Sequence, residues 1–268
     1  MNGINSEKAI TVEPGVLTFS PKSRQSPDAL YLDSLDFIQN MHSEYQHKAK
    51  SFRITYDFGP KDTTATFNMY LDLIWAAYVN KTSLLLDSFI TSVNSENYVT
   101  FALIGRSIIE NTAILRYYLK TDIQPLAAQC AAAGKSGNDR LKKDVILKLD
   151  RLLHGGRFKW DSLATGRIED VLHGDSTFLP QVSIGKCIFS WAKDDQPYRS
   201  LYDLYSDMTH PNLGSNLLVL KVWGEQPGFG GDDGYIYGRM LMPLMITGIS
   251  QVIKELHNLL NTLLLLHI

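Results

Sequence analysis

Apolar residues recur at helical spacing over most of this chain, while the strict alternation of a half-buried strand is nearly absent. After a polar opening stretch holding Pro14, Pro21 and Pro27, Asp28 stands where an N-cap belongs, ahead of a helix over residues 28–52. The stretch DFGPKDTT, residues 57–64, reads as a loop. Over residues 66–93 apolar side chains cover most sides of the predicted helix, the mark of a buried central element. The break NSEN leads into a second such helix over 96–120, and another is predicted over 139–153, stopped by Gly155 and Gly156. Residues 155–195 are less regular. Beyond them the pattern predicts a helix over 196–210 and a last amphipathic one from 241 to the end. The segments LLVLKVW (217–223) and GYIYG (234–238) flank a glycine-rich turn and predict a small hairpin. The sum is a mainly α fold: a helical bundle with a small β-hairpin near residues 217–238. Residues 28–268 form a single domain behind an extended arm over residues 1–27.

Composition narrows the function classes. With 268 residues, 44% hydrophobic and 20% charged, the chain can bury a substantial core as an ordinary globular protein. A net charge of −2 gives no overall basic footprint for RNA or DNA. Cys130 and Cys187 lie far apart without CxxC spacing, which fits a reducing compartment better than a disulfide framework or a zinc site. The opening MNGINSEKAITVEPG lacks the apolar core of a signal peptide. The two longest apolar runs are interrupted by Asn80-Lys81 and Lys254-Glu255, so neither reads as a membrane span. The expected location is the cytoplasm, with the apolar C-terminus docked in the core or on a partner subunit.

Two helices carry polar residues out of keeping with a plain core. In YRSLYDLYSDMTHPN, residues 198–212, Tyr198, Leu201, Tyr202, Leu204, Tyr205 and Met208 cover one side of the wheel. Arg199, Asp203, Ser206 and His210 stack on a stripe roughly 60° wide, with Asp207 at its margin. Such a stripe also suits the wet face of any amphipathic helix, and Pro211 stops the helix in either case. The helix over 96–120 is apolar on nearly every side, yet Arg106 and Glu110 lie four residues apart on it. Charges in apolar surroundings are seldom left unpaired, because desolvating one alone costs several kcal/mol. Arg106 and Glu110 can pair with each other. The expectation is that they also meet the Ser206–His210 stripe across the helix interface.

The element RSIIE, Arg106 to Glu110, followed by a later helix ending in YSDMTHPN, resembles the HEPN-like helical families. The resemblance covers residues 66–212 on short motifs, and it implies an all-helical, often dimeric bundle. Active members of those families are metal-independent ribonucleases in prokaryotic toxin and defence systems. Their motif combines an arginine, a small polar residue and a histidine. Carried over, His210 matches the histidine and Ser206 the polar position, while Tyr205 stands in place of the arginine. Proton transfer by His210 would then need its phosphate-stabilising cation from Arg106. Arg199 lies about 16 Å back along the axis at 1.5 Å per residue, too far to serve.

The resulting expectation is an interaction or accessory protein, a homodimer with room for a protein partner, in a prokaryotic defence or stress setting. The alternative is a HEPN-type endoribonuclease with His210, Arg106 and Ser206 as its catalytic residues. In either case Glu110, Tyr202, Asp203, Asp207 and Arg199 support the site, and no cofactor or metal is called for. A metal hydrolase built on Glu110, Asp207 and His210 is a third, weaker reading. Glu44 and His47 have Glu-x-x-His spacing, but a two-metal bundle needs a second such element and none is present. The stretch GFGGDDGYIYG lacks the lysine of a phosphate loop and reads as a hairpin turn.

Overall fold

Helix boundaries fall where side chains take over the hydrogen bonding of the unpaired helix ends. The computed structural model describes residues 17–26, 28–54, 62–132, 138–154, 182–223, 226–230 and 235–267. Asp28 accepts from the amides of Leu30 and Tyr31 to start α1, Ala29–Ser51. Asp62 accepts from Ala65 N–H ahead of α2, Thr63–Asn94, and Asn97 from Thr100 N–H ahead of α3, Tyr98–Tyr117. Between α2 and α3 the chain turns through Glu96, whose positive φ of 53° is the one such value among described non-glycine residues.

α3 does not end at residue 120. It passes through a π-helical turn, Tyr118–Ile123, into α4, Gln124–Ala132. Pro125 explains the turn, since a proline inside a helix lacks a donor and crowds the carbonyl four residues back. α5 covers Asn138–His154, close to its predicted span. The glycine pair proposed to stop it, and most of the irregular stretch before residue 182, lie outside the described residues. Next come α6, Ile184–Asp194, and α7, Pro197–Thr209, followed by the short α8, Leu213–Leu218. The last helix, α9, spans Ile236–Leu265.

The hairpin lies within the predicted region, and its first strand is the end of LLVLKVW, but its second strand is built from other residues. β1, Lys221–Trp223, pairs antiparallel with β2, Gln226–Gly228. The front of LLVLKVW is helical, in α8, while Tyr235 supplies one isolated bridge to Lys221 and α9 begins at Ile236.

α1, α2, α3 and α9 close a four-helix ring, each packing on two neighbours. Leu35, Ile38, Leu86, Phe89, Ile90, Ile109, Ile246 and Ile253 are fully buried inside it. The rings of Phe89 and Phe101 meet at 5.0 Å. α9 is long and apolar enough to cross a membrane by length and composition, and 39% of its most apolar window is buried. Its Ile249, Val252 and Leu263 are buried in the bundle, which gives that apolarity a use in the core. α5 packs on the outside of α2, while α6 and α7 pack on α3.

Part of the N-terminal arm is described, and it is docked. Phe19 is buried, Gln39 brackets it by accepting from its amide and donating to Leu17 O, and Asn94 holds Thr18 and Ser20. Residues 1–16 lie outside the described residues.

Candidate functional site

The contact between α3 and α7 is set by a glycine. Gly105 faces the Tyr205 ring so closely that a Cβ there would lie 2.1 Å from Tyr205 Cε1. Tyr205 is fully buried, its hydroxyl donates to Met245 O of α9 at 3.1 Å, and burial holds its phenol far above the usual range. The position matched to the family's arginine is therefore a core position shared by three helices. An arginine there would be desolvated without a partner.

With Tyr205 pointing at α3, helical geometry places Tyr202 and Thr209 roughly 40–60° to one side and His210 about 140° away. The hydrogen bonds agree with this register. Arg106 Nε donates to Glu110 Oε1 at 2.8 Å, and its Nη1 donates to Thr209 Oγ1 at 2.9 Å. Tyr202 Oη donates to the same Glu110 oxygen at 3.4 Å, and its ring lies under the guanidinium at 5.7 Å. Arg106 and Glu110 thus meet the expected helix through other residues, Tyr202 and Thr209 rather than Ser206 and His210. Tyr205 sets the inward direction of α7, and Arg199, Asp203 and His210 of the polar stripe turn outward, with Ser206 at its inner edge.

Their surroundings are also wetter than the sequence pattern implied. The Arg106 and Glu110 side chains are 26% and 30% exposed, so the pair is half-buried. The hydrogen bond to Glu110 raises the Arg106 pKa further, which fixes it as a permanent cation. Its role is charge and geometry, not proton transfer.

The other predicted site residues are dispersed. His210 is exposed and makes no side-chain hydrogen bond among the described residues. Its backbone is extended (φ −80°, ψ 150°), as the residue before a proline prefers, and its amide closes α7 on Ser206 O. Asn212 then caps α8 by accepting from Ser215 N–H. The THPN sequence is in these terms the punctuation between two helices. Ser206 Oγ is buried with no hydrogen-bond partner and does not meet His210. Arg199 and Asp203 form an exposed pair at 3.8 Å, a geometry worth a few tenths of a kcal/mol. Asp207 is exposed. Among the described residues no three His, Cys, Asp or Glu side chains are grouped to hold a metal, so Glu110, Asp207 and His210 do not form a ligand set. His42 is buried with Nε2 bonded to Asp87 Oδ1 at 2.6 Å, and Glu44 pairs with Lys48 rather than His47.

Sequence reasoning missed a second ionic cluster. Arg116, 6% exposed, donates through Nη2 to Asp194 and through Nε to Glu255 Oε1 at 3.2 Å. It also lies over Trp191, which stacks on Tyr198 at 4.1 Å. Arg116 falls on the buried side of α3, a sign that it needs a carboxylate, but Asp194 and Glu255 are distant in sequence. Cys187 is buried, and burial raises its thiol to about 11, which removes it as a nucleophile near neutral pH. The Cys130 side chain lies outside the described residues.

No family model, curated protein or solved structure matches this chain.

Proposed function

We propose that this chain is a HEPN-like interaction protein without nuclease activity, self-associating in the cytoplasm in a prokaryotic defence or stress setting. The fold type and setting rest on the sequence resemblance. The absence of catalysis rests on one observation: Arg106 bonds through Nε to Glu110 and through Nη1 to Thr209, while His210 is exposed and makes no side-chain hydrogen bond to either residue of the pair. A HEPN-type reaction needs the histidine and the cation on one phosphate. Here Glu110 also offsets the charge that Arg106 would lend.

An apolar groove supports the interaction role. Tyr198, Leu201 and Leu204 of α7 and Leu244, Thr247 and Gly248 of α9 line a cleft of about 830 Å³. Met240 and Leu244, one turn apart on α9, are 69% and 62% exposed. In an antiparallel, two-fold pairing of α9 helices, these exposed apolar residues of each copy would pack against those of the other. A second copy is therefore the occupant.

The decisive assay incubates single-stranded and structured RNA with the protein in EDTA, beside His210→Ala. The expected result is no cleavage by either; cleavage lost in His210→Ala would establish the ribonuclease alternative. Sedimentation should give a dimer for the wild type and a folded monomer for Leu244→Glu. A monomeric wild type would remove self-association from the proposal.

A further inference from the structure

On the side of α3 facing α2 and α5 lies a half-enclosed cleft of about 470 Å³, within the range of small-molecule sites. Lys81, Ser107, Glu110 and Asn111 form its polar part, and Ile74, Tyr78, Ile114 and Leu152 its apolar part. Two opposite charges border this space without satisfying each other. Lys81 makes no ion pair or hydrogen bond among the described residues. Lys81 itself is exposed at the cleft mouth; desolvation by the neighbouring wall lowers its pKa, partly offset by the attraction of Glu110.

Glu110 is bonded on one oxygen only. Arg106 and Tyr202 both reach Oε1, which leaves Oε2 without a partner among the described residues. Asn111 uses one amide hydrogen on Ser107 O at 2.6 Å and keeps its Oδ1 unengaged. A cation and a carboxylate, beyond ion-pair distance across one cleft with an apolar wall, match a ligand carrying both charges on a short spacer and an apolar tail.

We propose that this cleft binds a small zwitterion of the α-amino-acid class. Lys81 takes the ligand carboxylate, Glu110 Oε2 takes its ammonium, and Ile74, Ile114 and Leu152 receive an apolar side chain. Both polar contacts are charge-assisted, the strong kind of hydrogen bond. The site is separate from the self-association groove and does not depend on the absence of nuclease activity. Glu110 alone links it to the α3–α7 contact.

Calorimetric titration of the full chain tests this with L-leucine, L-isoleucine, L-methionine and L-phenylalanine as probes. Comparators are 4-methylpentanoate, which lacks the ammonium, and 3-methylbutylamine, which lacks the carboxylate. At least one amino acid should bind, and loss of either charged group should weaken binding by about tenfold or more. Lys81→Met should weaken the amino acid by a similar factor and leave the amine unchanged, while Lys81→Arg should restore part of the loss. Circular dichroism reports whether each variant is folded, and Lys81 breaks no observed contact when replaced. The proposal is overturned if no amino acid binds at millimolar concentration, if the amine or the acid binds as tightly as the zwitterion, or if Lys81→Met binds like the wild type.

Discussion

At the residue scale the informative position is Ser206. It carries the polar step of the resembled motif, yet its hydroxyl is buried and unpartnered. A buried polar atom without a hydrogen bond costs about 1–3 kcal/mol, and alanine at this site removes that atom without breaking an observed contact. Ser206→Ala is expected to leave stability unchanged or raise it by up to about 1 kcal/mol, measured by urea denaturation. A clear loss would mean that the hydroxyl has a partner in solution. Gly105 and Tyr205 show the converse, a site where the ring of one helix occupies the space a side chain on the other would need. Tyr205 could be read as core from its wheel position. Nothing local shows that it lies against a glycine one hundred residues away.

At the element scale, the start of α1 was legible because capping is local: Asp28 accepts from amides two and three residues ahead. Asp62, Asn97, Ser183 and Asn212 cap later helices in the same way, although the hydrophobic pattern did not single them out. The corner between α2 and α3 was visible as NSEN, but its function as a tie point was not. Glu96 pairs with Lys22 of the N-terminal segment at 3.0 Å and with Arg239 of α9 at 3.1 Å. Burial alone would raise the Glu96 pKa; the hydrogen bonds from Arg239 and Lys22 outweigh it and hold the carboxyl below its ordinary value. A depressed carboxyl contributes stability that is fully present above its unfolded pKa of about 4.3 and is lost as pH falls through the lower folded value. Glu96→Gln should therefore be less stable than the wild type at pH 7, with the gap closing below about pH 4. Equal stabilities at pH 7 would show that the corner ties nothing down. Gln keeps the strain of the positive φ, so the comparison isolates the charge.

At the scale of the whole molecule, Arg116 joins α3 to α6 and α9 through a nearly buried guanidinium. Arg116→Met should lower stability by about 2 kcal/mol, chiefly by leaving Glu255 with Lys120 alone, at 3.4 Å, and by loosening Trp191, and the loss should appear in the urea midpoint. An unchanged midpoint would mean that Lys120 and water serve Glu255 as well as the arginine does. The same scale decides between the two readings of YRSLYDLYSDMTHPN. The sequence by itself determined that this segment is an amphipathic helix stopped at Pro211, that the chain is a mainly α bundle, and that Arg106 and Glu110 pair. Those features follow from hydrophobic period, capping and four-residue spacing, which act within one or two turns. Only the tertiary structure decided that Tyr202 and Thr209, rather than Ser206 and His210, meet the pair. The rotation of α7 about its axis is fixed by Tyr205 packing on Gly105 and bonding to Met245. Each of those contacts joins parts of the chain too far apart for local pattern to register.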